Sequence, residues 1–490
     1  MREAAFRYLR QTSRRSLPCV ITCAVIVLLL TTPVLGQVDT VEQLTYPPLP
    51  DIHIPQPTRV VLDNGMVVFL LEDHELPTIH VSARIKTGSR LEPADKVGLA
   101  ALTGTVMRSG GTTTRTGDQL DDYLESKAAS IETGIGVTAG SASMTCLSED
   151  FSEVFTVFVD VLRNPRFDPG KLAIAKNKVM AGIARQNDNP DGILSREFAK
   201  LVYGKASPYA RVESYATINK ISRQDLINWH AKYFVPNRII LGLAGDFQTK
   251  QALDLVKRTF GTWPHGETFD DPIVPYQAST TRKVFYVEKA DMTQAQIVIG
   301  HLGLTRKHPD YHPVVIINQI VAGSFGARLF SNIRSKKGLA YDVGGGIGFG
   351  WDYPATASFS MSTKTDTTQA GIDALLEEAR KIMETEPPTE EEVHKAKASL
   401  LNSFVFSVDS PGKILGKFLT YEYFGYPSDW LVRFRAGIEN ATVEQVRKAA
   451  RTHIKPDQFV FLIIGPRQGT APALARYEMV EELDISIPES

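Results

Sequence analysis

One stretch of this chain occurs twice. Ser222-Arg-Gln-Asp-Leu-Ile-Asn-Trp-His-Ala-Lys-Tyr-Phe-Val-Pro236 is echoed by Thr442-Val-Glu-Gln-Val-Arg-Lys-Ala-Ala-Arg-Thr-His-Ile-Lys-Pro456. Each copy reads as a helix opened by a hydroxyl N-cap, Ser222 or Thr442, and stopped before a proline. An apolar strand follows each, Ile239 to Ala244 before Gly245 and Phe459 to Ile464 before Gly465, with the same proline-to-glycine spacing. Two further pairs keep the same order. Ser143-Met-Thr145 and Ser360-Met-Ser362 each end an alternating strand and precede a long amphipathic helix, Glu149 to Leu162 and Thr367 to Met383. Asp168-Pro-Gly-Lys171 and Thr389-Glu-Glu-Glu392 then open the next helix with an acid or hydroxyl at the cap. Matches in one order along both halves imply an internal duplication, so the chain must fold as two similar units.

The strand signals set the class of each unit. Asn64-Gly65, between Arg59–Leu62 and Met66–Leu71, predicts a hairpin with a type I′ turn. Ile79 to Lys86, Gln294 to Gly300 and Ala355 to Ser362 alternate with period two. Strands mixed with long helices predict an α+β protein: two homologous domains, each with helices packed on a mostly antiparallel sheet. The expected bounds are 58–266 and 283–466. The polar, proline-bearing stretch 267–282 reads as a linker, and 467–490 as a C-terminal tail.

The N-terminus reads as an export signal over residues 1–36, followed by an extension over 37–57. Arg2, Arg7, Arg10, Arg14 and Arg15 precede an apolar run from Leu17 to Leu30, and Val34-Leu35-Gly36 sets up a cut before Gln37. An uncleaved anchor is the alternative, although the run is short for a span and Thr31-Thr32-Pro33 interrupts it. The expected location is the periplasm or the exterior, with no stable membrane span once the signal is removed. Cys19 and Cys23 leave with the signal, so Cys146 is alone and no intrachain disulfide can form; it reads as a small core residue. With 490 residues and 43% hydrophobic content, the chain has enough material for large cores without disulfides. Its formal net charge of −1 gives no electrostatic support for binding nucleic acid.

The duplicated halves, the Asn64-Gly65 hairpin and the segment Arg334-Ser-Lys-Lys-Gly-Leu-Ala-Tyr341 together resemble the pitrilysin/insulinase family of inverzincin metallopeptidases, over about Arg59 to Gly465. The resemblance implies a clamshell of two homologous domains around a chamber. It also implies a helix in the first domain carrying His-x-x-Glu-His, with a further glutamate downstream as the third zinc ligand. This chain departs from that pattern. On Gly98 to Thr112, the histidine positions hold Ala101 and Thr105 and the glutamate position holds Gly104. From Pro169 to Asn187 there is no acidic residue, and Gly182 stands nearest the third ligand. A methyl group, two bare backbones and one hydroxyl do not bind zinc, so no metal and no cofactor is expected in this chain.

The second-half motif is intact. Phe330-Ser-Asn-Ile-Arg334 through Gly338-Leu-Ala-Tyr341, with Gly323-Ser-Phe-Gly-Ala-Arg-Leu-Phe330 upstream, matches the family's arginine/tyrosine segment. The resemblance implies that Arg334 and Tyr341 bind the backbone of a peptide substrate. A guanidinium fork and a phenol suit carbonyl oxygens and a developing oxyanion. The plainer alternative is that Arg334 caps a helix end and Tyr341 is a strand aromatic. Some members of the family divide the metal helix and the arginine/tyrosine segment between two polypeptides. The expected partner is therefore a homologous exported subunit carrying His-x-x-Glu-His and zinc. The expected role is a non-catalytic, substrate-binding subunit of a heteromeric zinc metallopeptidase. A scaffold of the same fold without a proteolytic role is the alternative, and independent hydrolysis by other chemistry the third.

Four other motifs carry less. His74-Glu75 and His80 are six residues apart with Pro77 between them, which does not fit a zinc helix. His301, His308 and His312 cluster near Asp310 and read as ordinary polar positions. Ala322-Gly-Ser324-Phe-Gly326 imitates a serine elbow but follows a predicted helix, Pro313 to Val321, where a strand is required. Gly344 to Gly350 lacks the following helix of a dinucleotide loop.

Overall fold

The computed structural model describes residues 54–271, 276 and 281–488. The expected signal, residues 37–53 of the extension and half of the linker (272–275 and 277–280) lie outside the described residues. The first half contributes β1 (Thr58–Val61), β2 (Val67–Glu72), β3 (Thr78–Ile85), β4 (Ser130–Ile135), β5 (Gly140–Leu147) and β6 (Ile239–Gly245). They form one sheet in the order β1-β2-β6-β3-β5-β4. The second half contributes β7 (Lys283–Glu288), β8 (Gln294–Leu302), β9 (Leu304–Thr305), β10 (Val343–Ile347), β11 (Phe349–Gly350), β12 (Thr356–Lys364), β13 (Val460–Gly465) and β14 (Glu481–Glu482). Its sheet runs β10-β12-β8-β13-β7-β14, and β9 pairs separately with β11.

The duplication is visible strand by strand. β2, β6, β3, β5 and β4 correspond to β7, β13, β8, β12 and β10. In both sheets the first of these pairs is parallel and the rest are antiparallel. The chain is α+β. The repeated helices begin as their sequences dictate, with capping boxes at Ser222, Thr389 and Thr442 and an N-cap at Asp168. Cys146 lies in the core of the first sheet, where burial pushes its thiol up to about 12. Among the described residues, no helix is long and apolar enough to cross a membrane.

β6 and β13 are buried at every position, which requires cover on both faces of each sheet. One cover comes from the same half. The other is exchanged. Helix Pro190–Tyr203 of the first half lies on β8 and β13 of the second, where Ile193, Phe198 and Val202 join Val298, Leu462 and Ile464. Helix Pro411–Phe424 of the second half lies on β6 and β2 of the first. There Leu415 occupies the space above Gly242, where a Cβ would come within 2.9 Å of it, and Phe418 meets Phe69 with ring centroids 6.4 Å apart. The halves are also tied by Arg90 Nη1 to Asp352 Oδ2 at 2.5 Å and by the stacked rings of Tyr209 and Tyr353 at 3.9 Å.

Two local expectations are corrected. A type I′ turn needs positive φ at both central residues, but of Asn64 and Gly65 only Gly65 is positive, at 84°. The loop closes instead through Leu62 N–H to Met66 O and Gly65 N–H to Leu62 O, both 2.9 Å. Asn64 is turned inward, donating from Nδ2 to the carbonyls of Phe260 (2.8 Å) and Trp263 (3.1 Å). Residues 467–490, set apart as a tail, instead carry helix Arg467–Leu474 and β14, which pairs in parallel with β7 and buries Leu483.

Candidate functional site

The helix at the expected metal position is Leu99–Ser109. Gly98, with φ of 102°, lets the chain turn into it. Buried Glu92 closes its N-terminus by accepting hydrogen bonds from Ala100 N–H (2.6 Å) and Gly98 N–H (3.2 Å). Burial is the main reason the Glu92 carboxyl is raised to about 7, partly offset by those two donors.

The helix lies directly on β4, the edge strand of the first sheet. Gly104 faces the strand. A Cβ at this position would sit 2.6 Å from Ile135 N and 2.8 Å from the Cα of Gly134. Thr133 Oγ1 donates to Gly104 O at 2.6 Å, and Arg108 Nε donates to Ile131 O at 3.0 Å. The position where an active relative needs a glutamate is therefore filled by strand backbone. Ala101 is half-buried, Thr105 is exposed, and Gly182, on helix Pro169–Ala184, is exposed. Three of these four positions supply no donor atom, and the fourth offers a single hydroxyl.

The second-half residues are arranged differently. Arg334 lies in a π turn, Phe330–Lys336, and its guanidinium carbon stands 4.6 Å from the Phe330 ring centroid and 5.1 Å from that of Tyr341. The structure thus brings together the two candidate substrate-binding residues. Tyr341 is 75% exposed, just before β10, and Phe325, stacked edge-on against Phe330, is 80% exposed. Among the described residues, the Arg334 side chain has no carboxylate partner; its contacts are the two rings. A guanidinium whose contacts are aromatic rings keeps its N–H donors free for carbonyl oxygens.

Among the described residues, one group could hold a metal ion: His308, Asp310 and His453. These groups already satisfy one another. His453 Nε2 lies 2.7 Å from Asp310 Oδ2, and His308 Nδ1 accepts from Asp310 N–H at 3.1 Å. Sequence reading found His308 and Asp310 but missed His453, which lies 143 positions from Asp310. His301 is buried with its Nε2 accepting from Lys455 N–H, and His312 packs against Gly437. His74 and His80 do not converge: His74 bridges Asp246 and Glu72, whereas His80 sits on β3 beside Thr145. Ser324 follows helix Tyr311–Ala322, so it does not sit on a strand-to-helix elbow.

A model of the insulinase family (peptidase family M16) matches residues 67–207, and a model of the peptidase M16 inactive domain matches residues 220–400. The chain is 23% identical over 399 residues to the non-peptidase homolog YmxG of Helicobacter pylori, covering 81% of this chain and 91% of that protein. It is 22% identical over 362 residues to the uncharacterized zinc protease YmxG of Bacillus subtilis, covering 72% and 84%. The crystal structure of a peptidase M16 inactive domain from Pseudomonas fluorescens superposes with a TM-score of 0.76 at 25% identity, covering 84% of this chain and 98% of that one. The periplasmic protease PqqL from Escherichia coli shares the fold, with a TM-score of 0.71 at 14% identity, over 85% of this chain and 46% of its own.

Proposed function

The chain belongs to the insulinase (M16) family as a member of its inactive type, and on that basis we propose that it holds extended peptides for a metal-bearing homologue to cleave. The observation that carries this reading is the contrast between its two motifs. The arginine/tyrosine pair is assembled near the surface with no carboxylate partner among the described residues, while β4 fills the space beside Gly104, where the family's motif carries its glutamate. In this role Arg334 and Tyr341 bind the peptide backbone and polarise a carbonyl, while zinc and its activated water belong to the partner. A peptide would be held along a sheet edge, where strand backbone offers free donors and acceptors. The basic and apolar N-terminal residues support export, and export places both subunits in the periplasm or outside the cell.

The test is pairwise. The purified chain and an exported homologue carrying His-x-x-Glu-His are assayed on peptides singly and mixed. Cleavage well above that of the homologue alone supports the shared chamber. A mixture no faster than the homologue alone favours a scaffold without a proteolytic role.

A further inference from the structure

A cavity of about 670 Å³ opens where the exchanged helix Pro411–Phe424 meets the first sheet. Both halves build it. Arg84 comes from β3, Arg306 follows β9, and Lys413 and Lys417 come from the helix itself. Its charged lining has one sign only, with four cations and no carboxylate. Lys413 is neutralised by Asp409, at 2.8 Å. The other three are not. Arg84 and Lys417 are half-buried, and their side chains have no hydrogen bond or ion pair among the described residues. Arg306 lies over Trp351, 4.2 Å from a ring centroid, and donates from Nη1 to Tyr311 Oη at 2.9 Å. Its Nε is buried with no acceptor among the described residues.

Such an arrangement opposes folding. Burial depresses the pKa of both Arg84 and Lys417, and for Lys417 the neighbouring Arg306 and Lys413 add to the effect. Half-buried like charges without counter-ions are costly unless an anion arrives to complete them. The rest of the lining is rich in aromatic rings, with Trp351, Phe404, Tyr421, Trp430 and Phe434, alongside the hydroxyls of Ser403, Ser407 and Thr420. The volume and the mixture of aromatic wall with a few convergent polar groups suit a small ligand.

We infer that this cavity binds an amphipathic organic anion, with its acidic head among Arg84, Arg306 and Lys417 and its apolar body along Trp351, Trp430 and Phe434. Two sources share that chemistry: a free fatty acid, and the C-terminal carboxylate of a peptide ending in an apolar residue. The inference stands apart from the role proposed for Arg334, which lies on other elements.

The probe is 8-anilinonaphthalene-1-sulfonate, an aromatic anion whose fluorescence rises in apolar surroundings, titrated into the purified chain. Laurate and N-acetyl-leucyl-phenylalanine serve as competitors, with inorganic phosphate and dodecyltrimethylammonium as controls. Saturable binding displaced by laurate assigns a fatty-acid site, and displacement by the dipeptide acid a peptide C-terminus; either supports the inference. The double variant Arg84→Met with Lys417→Met should weaken probe binding by about tenfold or more. It breaks no native ion pair, so its thermal midpoint should stay level or rise, which separates lost binding from lost folding. Absence of saturable binding, equal displacement by the cationic surfactant, or unchanged affinity in the double variant overturns the inference.

Discussion

The same duplicated scaffold treats its two motif segments in opposite ways. In the first half, helix Leu99–Ser109 is fastened to β4 through Gly104, Thr133 and Arg108, leaving no room for a longer side chain at Gly104. In the second half, Arg334 and Tyr341 stand near the surface, and among the described residues their side chains have no partner beyond neighbouring rings. The first segment's residues now serve the fold. The second segment's residues contribute little to it, which leaves their donors available to something outside the chain. Stability measurements should therefore separate the two regions sharply.

The largest effect is expected at Gly104. Gly104→Glu must push the helix away from β4 and strand a carboxylate against buried backbone, costing about 4 kcal/mol or more. Adding Ala101→His and Thr105→His should not rescue the loss, because β4 still fills the space that a glutamate at position 104 needs. Chemical denaturation and zinc analysis of the triple variant check this. A stable triple variant holding one zinc per chain would break the comparison.

Glu92 comes next. Its carboxyl is raised to about 7 in the folded protein against an ordinary 4.5, chiefly by burial. Between those values the folded state keeps a proton that the unfolded chain has lost. This contribution to stability is therefore greatest below pH 4.5 and declines as pH rises towards 7, by at most about 3 kcal/mol. Glu92→Gln cannot ionise and should flatten that decline, so the variant gains on wild type as pH rises. Denaturation midpoints across pH 4.5 to 8 check the slope. Thr133→Val is smaller still: it removes the 2.6 Å bond to Gly104 O and should cost about 1 kcal/mol.

How far these regions could be read without coordinates follows from the range of each signal. Caps and stops are local, so the repeated helices and their following strands were legible from Ser222, Thr442 and the proline-to-glycine spacing. The exchange of helices was not. The pattern of Pro190–Tyr203 says that one face is buried but not against which sheet. Asn64 misled because its amide found carbonyls at Phe260 and Trp263, about 200 positions away in sequence, so the turn type was set by tertiary contact. At the site, Arg334 and Tyr341 were legible through the motif they share with a known family. Gly104 was legible only as a missing motif glutamate. That it is also a point of contact needed β4 beside it. The cavity cations were beyond reach for the same reason, since Arg84 and Lys417 come from different halves.

The smallest stability change is expected where the largest functional one is proposed. Arg334→Ala removes a half-buried guanidinium with no carboxylate partner among the described residues. The loss is limited to ring contacts with Phe330 and Tyr341 at 4.6 and 5.1 Å, each worth about 0.5 to 1 kcal/mol at an exposed site. The unfolding midpoint should therefore move little. Peptide cleavage by the mixed subunits should nonetheless fall by about a hundredfold, the usual consequence of losing one donor aimed at a developing oxyanion. Arg334→Lys should recover part of the binding without the full rate, because a single ammonium cannot reproduce a planar fork. Tyr341→Phe keeps the ring under the guanidinium and removes only the hydroxyl, so its effect on turnover should be the smaller of the two. If Arg334→Ala instead unfolds the chain, or leaves cleavage by the pair untouched, the second segment is structural like the first and the contrast between the halves disappears.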